Sequence, residues 1–384
     1  MRQTPFIDLK KQYLALQPQM EKALLKVASS AQFVGGPEVA ELEKALASYV
    51  GAGEVIACAN GTDALTLPLL AWGVGPGDAV FCPSFTFIAT AEVVVLRGAT
   101  PVFVDIDPTT YNLSPVDLER QIELVLKEGR LKPKVIIPVD LFGLPADFAA
   151  INRVAQKYDL LVLEDAAQGF GGERRGQKAG TFSVVAATSF FPAKPLGCYG
   201  DGGAVLVRDP ELAEVIRSIR GHGQGQNKYE HVRLGMNSRL DTLQAAILLE
   251  KLAVFAEELK ARQKVARGYQ RLLSDEALKP TVPEGYYSAW AQYTIRVPAE
   301  LRAGLIQYLK DAGVPANIYY PLGLHQQPFF KGLAGSIPAG VFPETEKAAR
   351  EVLSLPMHPY LDEETLIMIS SLVNQGLELG AKNV

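Results

Sequence analysis

Seven short apolar runs recur through the first half of the chain: Glu54–Ala59, Ala79–Pro83, Pro101–Asp105, Lys134–Val139, Leu160–Glu164, Val184–Phe190 and Gly203–Arg208. Each is apolar almost throughout rather than at alternate positions, the pattern of a strand covered on both faces. Most are separated by amphipathic stretches, and this alternation predicts a doubly wound, mostly parallel seven-stranded α/β sheet. The last two runs are joined only by a loop, which leaves one of them open to run antiparallel. Near Asp241 the pattern changes. Asp241–Gln270 predicts one long helix, charged on one side and lined with Leu, Ala and Val on the other. Helices, short strands and proline-rich loops follow, such as Gly323 to Phe330 and Leu355 to Pro359. The expected division is a large α/β domain over residues 1–255 and a smaller α+β domain over residues 256–384. The N-terminal helix, about Lys11–Ser29, has the choice of packing on either.

Composition narrows the function. The 384 residues are 48% hydrophobic and 21% charged, ordinary for a soluble globular protein. A net charge of -4 supplies no basic excess for holding a nucleic-acid backbone. Cys58, Cys82 and Cys198 are scattered, which speaks against a disulfide framework or a structural zinc site and fits a reducing cytoplasm. The N-terminus lacks the apolar run of a signal peptide, and no stretch reads as a membrane span.

Candidate chemistry collects where runs of this kind end. Ligands of open α/β sheets bind at the carboxyl ends of the strands. Asp165 ends one run, and Lys194 lies 29 residues on, in the loop Thr188-Ser-Phe-Phe-Pro-Ala-Lys-Pro-Leu-Gly197. A lysine between two prolines and behind Phe190-Phe191 sits in an apolar setting that favours the neutral amine. An acid and an amine from neighbouring strand ends suit pyridoxal 5'-phosphate (PLP). The amine forms a Schiff base, and the acid keeps the pyridine nitrogen protonated. Gly61 and Thr62 open a helix after the first run, where free N–H groups can hold a phosphate; Thr62 as a plain N-cap is the competing reading. Phe85 is placed either to lie on a flat ring or to fill the core. Gln168 lies three residues beyond Asp165 and Ser189 five before Lys194. The glycines near 200 are not in dinucleotide-binding order, and no Walker loop is present.

The segments NGTDAL, PSFTF, EDAAQ, SFFPAKPLG, GDGGA and GMNSRLDTLQAA occur in the order found in the DegT/DnrJ/StrS-type sugar aminotransferases, and the chain resembles that family from Phe6 to Pro359. The resemblance implies the fold type I, aspartate-aminotransferase-like PLP fold. It implies that Lys194 is the Schiff-base lysine, that Asp165 faces the pyridine nitrogen and that Gln168 bonds the phenolic oxygen. Gly61, Thr62 and Ser189 would hold the phosphate, Phe85 would stack on the ring, and Asn237 would reach the phosphate of a neighbouring subunit, which implies a homodimer with shared sites. The subgroup that SFFPxKPLGCYGDGGA and SLPMHPYL resemble acts on UDP-linked 3-keto hexuronic acids. The expected reaction moves an amino group from L-glutamate to such a nucleotide-linked keto sugar, in the service of bacterial surface polysaccharide. In that subgroup Arg239 is a candidate for the sugar carboxylate, with a structural ion pair as its other reading. Tyr319, Tyr320, His325, His222 and Tyr229 complete the candidate substrate side. Tyr319 stands where many members carry histidine. Arg220, His222, Lys228, His231 and Arg233 are the basic candidates for the nucleotide diphosphate. Alternatives from the same family are a 4-keto-hexose aminotransferase, a dehydratase (whose histidine in place of lysine is absent here) and a PLP-binding regulator without turnover.

Overall fold

The computed structural model describes residues 4–51, 53–227, 229–333 and 341–382. Its strands in chain order are β1 (Glu54–Cys58), β2 (Asp78–Pro83), β3 (Thr100–Val104), β4 (Lys132–Ile136), β5 (Leu161–Asp165), β6 (Glu173–Arg174), β7 (Gln177–Lys178), β8 (Val185–Ser189), β9 (Gly203–Val207), β10 (Tyr286–Tyr287), β11 (Tyr293–Arg296) and β12 (Val352–Leu355). Seven of them form one sheet in the order β1-β9-β8-β5-β4-β2-β3. These are the seven runs expected from the apolar pattern, with ends shifted by at most three residues. Strand β9 is antiparallel to both β1 and β8, and the remaining pairs are parallel.

Helices cover both faces, which is why the strands are apolar throughout. Ile56, Cys58, Val185, Ala187 and Val205 pack in one layer with the helices Gly61–Ala71, Ala89–Leu96 and Pro210–Arg220. Val55, Ala57, Ala186, Ala204 and Leu206 face the opposite layer with Leu42, Leu46, Leu248 and Phe255. The sheet therefore alternates its neighbours residue by residue while remaining dry on both sides.

The long helix runs Thr242–Leu272, with Asp241 as its N-cap residue. Ala245, Leu248 and Phe255 join the core beside the sheet, and Val265, Ala266 and Tyr269 join a second core around β11, β12 and the helix Glu363–Ala381. The N-terminal helix, Leu9–Ser30, buries Leu16 and Met20 with Leu248 and Phe255, so it packs beside the large sheet and not on the smaller one. The residues ahead of it cross over: the Thr4 N–H donates to the Gly313 carbonyl, and the Phe6 carbonyl accepts from the Met357 N–H. This crossing ties the N-terminal segment to the smaller domain, and Ile7 and Asp8 share a cleft with Pro192 and Lys194.

Candidate active site

Asp165 is the last residue of β5 and is buried. Its Oδ2 accepts a hydrogen bond from Thr90 Oγ1 at 2.9 Å, and its Oδ1 accepts from the Ala167 N–H at 3.1 Å. Burial pushes this carboxyl above its ordinary range, while Thr90, the Ala167 N–H and the positive charge of Lys194 pull it back. Lys194 answers in kind. Burial lowers its amine, and the charge of Asp165 opposes that fall. The two groups thus lie within electrostatic reach, one at a strand end and the other in the loop that leaves the neighbouring strand β8. The preceding carboxylate, Glu164, points into the opposite layer, where Oε2 accepts from the Phe182 N–H at 2.9 Å and burial pushes the group up to about 7.

The Lys194 loop is fixed at several points. The Lys194 N–H donates to the Phe191 carbonyl at 2.8 Å, and the Cys198 N–H to the Phe190 carbonyl at 2.7 Å. Lys251, from the long helix, donates from Nζ to the Gly197 carbonyl at 2.6 Å and lies 4.5 Å from the centre of the Tyr199 ring. A side chain at Gly197 would come within 2.6 Å of the carbonyl oxygens of Phe191 and Pro192, so glycine is required where the loop closes on itself.

The helix Gly61–Ala71 begins beside this loop. Asn60, not Thr62, is its N-cap, because Asn60 Oδ1 accepts from the Asp63 N–H at 2.8 Å. That leaves the N–H groups of Gly61 and Thr62 at the head of the helix, without partners among the described residues. Gly61 lies directly against Ser189: a Cβ on Gly61 would stand 2.7 Å from the Ser189 Cβ and 3.1 Å from its Oγ. Two free N–H groups, the positive end of a helix and a hydroxyl thus share one small space, the donor set that a phosphate monoester needs.

Gln168 is buried, with Oε1 accepting from the Phe142 N–H at 2.9 Å and Nε2 donating to the Tyr320 hydroxyl at 3.3 Å. Phe85 is fully buried, its ring edge-to-face with Tyr320 at 6.0 Å and Phe142 at 6.5 Å. Tyr319 packs against Phe6 at 6.1 Å, and its hydroxyl accepts from Asn317 Nδ2 at 3.3 Å. His325 Nδ1 lies 2.6 Å from Ser84 Oγ and Nε2 lies 3.3 Å from Glu346 Oε1, so both ring nitrogens are engaged and the residue ties the end of β2 to the helix Pro343–Glu351.

The structure therefore brings Lys194, Asp165, Gly61, Thr62, Ser189, Phe85, Gln168 and Tyr320 to one end of the sheet. Asn237 and Arg239 are both exposed, and among the described residues neither side chain bonds to this group. His222 and Tyr229 are exposed on the same segment. Arg220 donates from Nη1 to Glu43 Oε1 and to the Ala57 carbonyl, each at 2.9 Å. Lys228 lies outside the described residues. The sequence reading missed Thr90; its one signal was a hydroxyl four residues after Thr86 near the start of a helix.

A buried acid and amine at adjacent strand ends of a doubly wound sheet, beside a phosphate cradle, define a fold type I PLP-dependent transferase. The chain belongs to the DegT/DnrJ/EryC1/StrS aminotransferase family, which matches residues 15–374. That makes it a PLP-dependent nucleotide-sugar aminotransferase. It is 49% identical to a UDP-2-acetamido-2-deoxy-3-oxo-D-glucuronate aminotransferase of Pseudomonas aeruginosa, over 96% of this chain and 99% of the relative. It is 40% identical to a UDP-N-acetyl-3-dehydro-alpha-D-glucosamine 3-aminotransferase of Acidithiobacillus ferrooxidans, over 97% and 98%. The crystal structure of a DegT DnrJ EryC1 StrS aminotransferase from Brucella abortus superposes with a TM-score of 0.95 at 50% identity, covering 97% of this chain and 99% of that one. Among the described residues no helix is long and apolar enough to cross a membrane.

Proposed function

We propose that this enzyme transfers the amino group of L-glutamate to C3 of a UDP-linked 2-acetamido-3-keto hexuronic acid, a precursor of bacterial surface polysaccharide. The observation that carries the chemistry is the pairing of Lys194 with Asp165 beside the Gly61–Ser189 cradle. The likeness to the Pseudomonas aeruginosa enzyme over nearly all of both chains supports the choice of sugar.

PLP bound here supplies the electron sink that lets a proton leave and return at the carbon bearing nitrogen. Asp165 would hold the proton of the ring nitrogen, and Thr90 and the Ala167 N–H hold Asp165 in turn. The N–H groups of Gly61 and Thr62 with the Ser189 hydroxyl would receive the phosphate. Phe85 would lie against the ring, and Gln168, fixed by the Phe142 N–H, would meet the phenolic oxygen. The Lys194 amine, made less basic by burial, takes the proton from the glutamate Cα as general base and returns it as general acid. Glutamate takes up the oxygen of one water and leaves as 2-oxoglutarate, its amino group staying behind for the sugar. In the second half the sugar ketone loses its oxygen as water and gains the amine.

We further propose a homodimer in which Asn237 and Arg239 of each copy complete the site of the other, Asn237 at the phosphate and Arg239 at the sugar carboxylate. Supporting this, both lie exposed on a segment that also exposes Val232 and Leu234. The cytoplasm is the proposed location.

The test is direct. Purified enzyme with L-glutamate receives either the UDP-3-keto hexuronic acid or a TDP-4-keto hexose, and products are weighed by mass spectrometry. An amino sugar from the first alone is expected; turnover of the 4-keto sugar alone would overturn the substrate assignment.

A further inference from the structure

Arg262 and His358 are buried, polar and underused. Neither ring nitrogen of His358 has a hydrogen-bond partner, and it is 2% exposed. Arg262, 3% exposed, donates from Nη1 to the carbonyls of Trp290 at 3.0 Å and Met357 at 3.4 Å, while its Nε has no partner. Among the described residues no carboxylate is in ion-pair contact with this guanidinium. Glu258 stands one helical turn away, but its carboxylate is turned to Gln12 Nε2 at 2.9 Å and the Tyr360 hydroxyl at 2.7 Å. Burial moves the Arg262 group down to about 10, so it remains a cation at neutral pH. Burial, then the charge of Arg262, pushes His358 down to about 4, so it is neutral there, with one N–H to donate.

Both residues line one cleft with Lys194 and Pro192 of the lysine loop, and with Ile7 and Asp8 of the N-terminal segment. Asp8 is the one acid of this lining, and its Oδ1 accepts the Lys11 N–H at 2.8 Å as a helix cap. The Glu258 charge reaches Arg262 without bonding to it, so Arg262 Nε and both His358 ring nitrogens stay buried and unbonded, and a carboxylate relieves that cost by forming charge-assisted bonds.

We propose that this cleft is the subsite for a carboxylate of the amino-group donor, with Arg262 and His358 as its donors. The proposal rests on the aminotransferase reading given above. Chemistry selects the α-carboxylate: it is one bond from the carbon whose proton Lys194 takes, so its site must adjoin Lys194. The carboxylate of a hexuronic acid lies three carbons from the reacting C3 and has no such requirement.

The donor half-reaction, followed by cofactor absorbance with no sugar present, decides the matter in wild type, Arg262→Lys and His358→Phe. The half-saturating L-glutamate concentration should rise at least about tenfold in each variant, with the KM for the nucleotide sugar within about twofold of wild type. A second reading avoids turnover. Glutarate, a dicarboxylate without an amine, should raise the melting temperature of wild-type holoenzyme and leave His358→Phe unmoved. Unchanged glutamate saturation in both variants, or equal losses for both substrates, would overturn the subsite in favour of a purely structural pair. His358→Phe removes no charge and keeps the test open should Arg262→Lys fold poorly. A wild-type enzyme that aminates the sugar but ignores glutamate and glutarate also overturns it, whereas failure of the proposed sugar leaves the donor half-reaction to decide alone.

Discussion

Thr90 Oγ1 donates to Asp165 Oδ2 at 2.9 Å inside the protein, so the acid that serves the cofactor is itself held by a neutral hydroxyl from the helix Ala89–Leu96. A hydrogen bond to a buried carboxylate is worth about 1.5–3 kcal/mol. Thr90→Val should therefore lower kcat about tenfold or more while Thr90→Ser retains most of it. The sign of the pH effect follows. Thr90 pulls the carboxyl down, so its loss lets burial raise the group further and moves the acid limb of the rate profile to higher pH. A kcat/KM profile of the two variants measures both effects.

Gly61 faces Ser189 too closely for any side chain. In Gly61→Ala the new methyl enters the space assigned to phosphate, 2.7 Å from the Ser189 Cβ. PLP affinity should fall at least about tenfold, given that steric overpacking commonly costs 1–3 kcal/mol. Equilibrium dialysis of the apoprotein against PLP gives the number, and circular dichroism establishes that the fold is intact.

Lys251 is buried, and burial pushes its amine down to about 8. The unfolded chain keeps its proton to about pH 10.4. Between these limits the unfolded state binds more protons, so stability rises with pH across the window, and the charged form penalises the fold below it. The stability of wild type minus that of Lys251→Met should therefore climb by about 3 kcal/mol from near pH 7 to near pH 10. Urea titrations at several pH values would show it, and a flat difference would mean that the ammonium is better solvated than its burial implies.

Shared sites can be read by mixing subunits. Lys194→Ala and Asn237→Ala should each be inactive or nearly so alone. Unfolded and refolded together in equal amounts, they should regain about a quarter of wild-type activity, since half of the random dimers carry one intact site. No recovery would place Asn237 in its own subunit's site or outside any site.

The large sheet was legible because its strands are buried on both faces, which writes them as apolar runs that length alone distinguishes from helices. The short pairs were not: β6, β7 and β10 have two residues each, too few for any period. Asp165, Gln168 and Ser189 could be read because strand ends are where such folds keep their chemistry. Thr90 could not, since one hydroxyl in a helix carries no pattern; only the fold turns it towards β5. Thr62 read as a cap, but the cap is Asn60, whose backbone is pinned against Gly203 of β9. Arg220 read as a free cation because its partner, Glu43, is far away in sequence. Arg262 read as one more charge on an amphipathic helix, and its burial appears only once Trp290 and Met357 close over it.

One helix, Thr242–Leu272, touches both sides of the site. Lys251 grips the carbonyl of Gly197 in the lysine loop, and Arg262 grips the carbonyls of Trp290 and Met357 next to the smaller sheet. Eleven residues of unbroken helix separate them, a rod of about 16 Å. Such a rod has no joint. Any rocking of the smaller sheet levers the lysine loop directly, so a ligand that settles against Arg262 has a mechanical line to the strand end that carries the reacting amine.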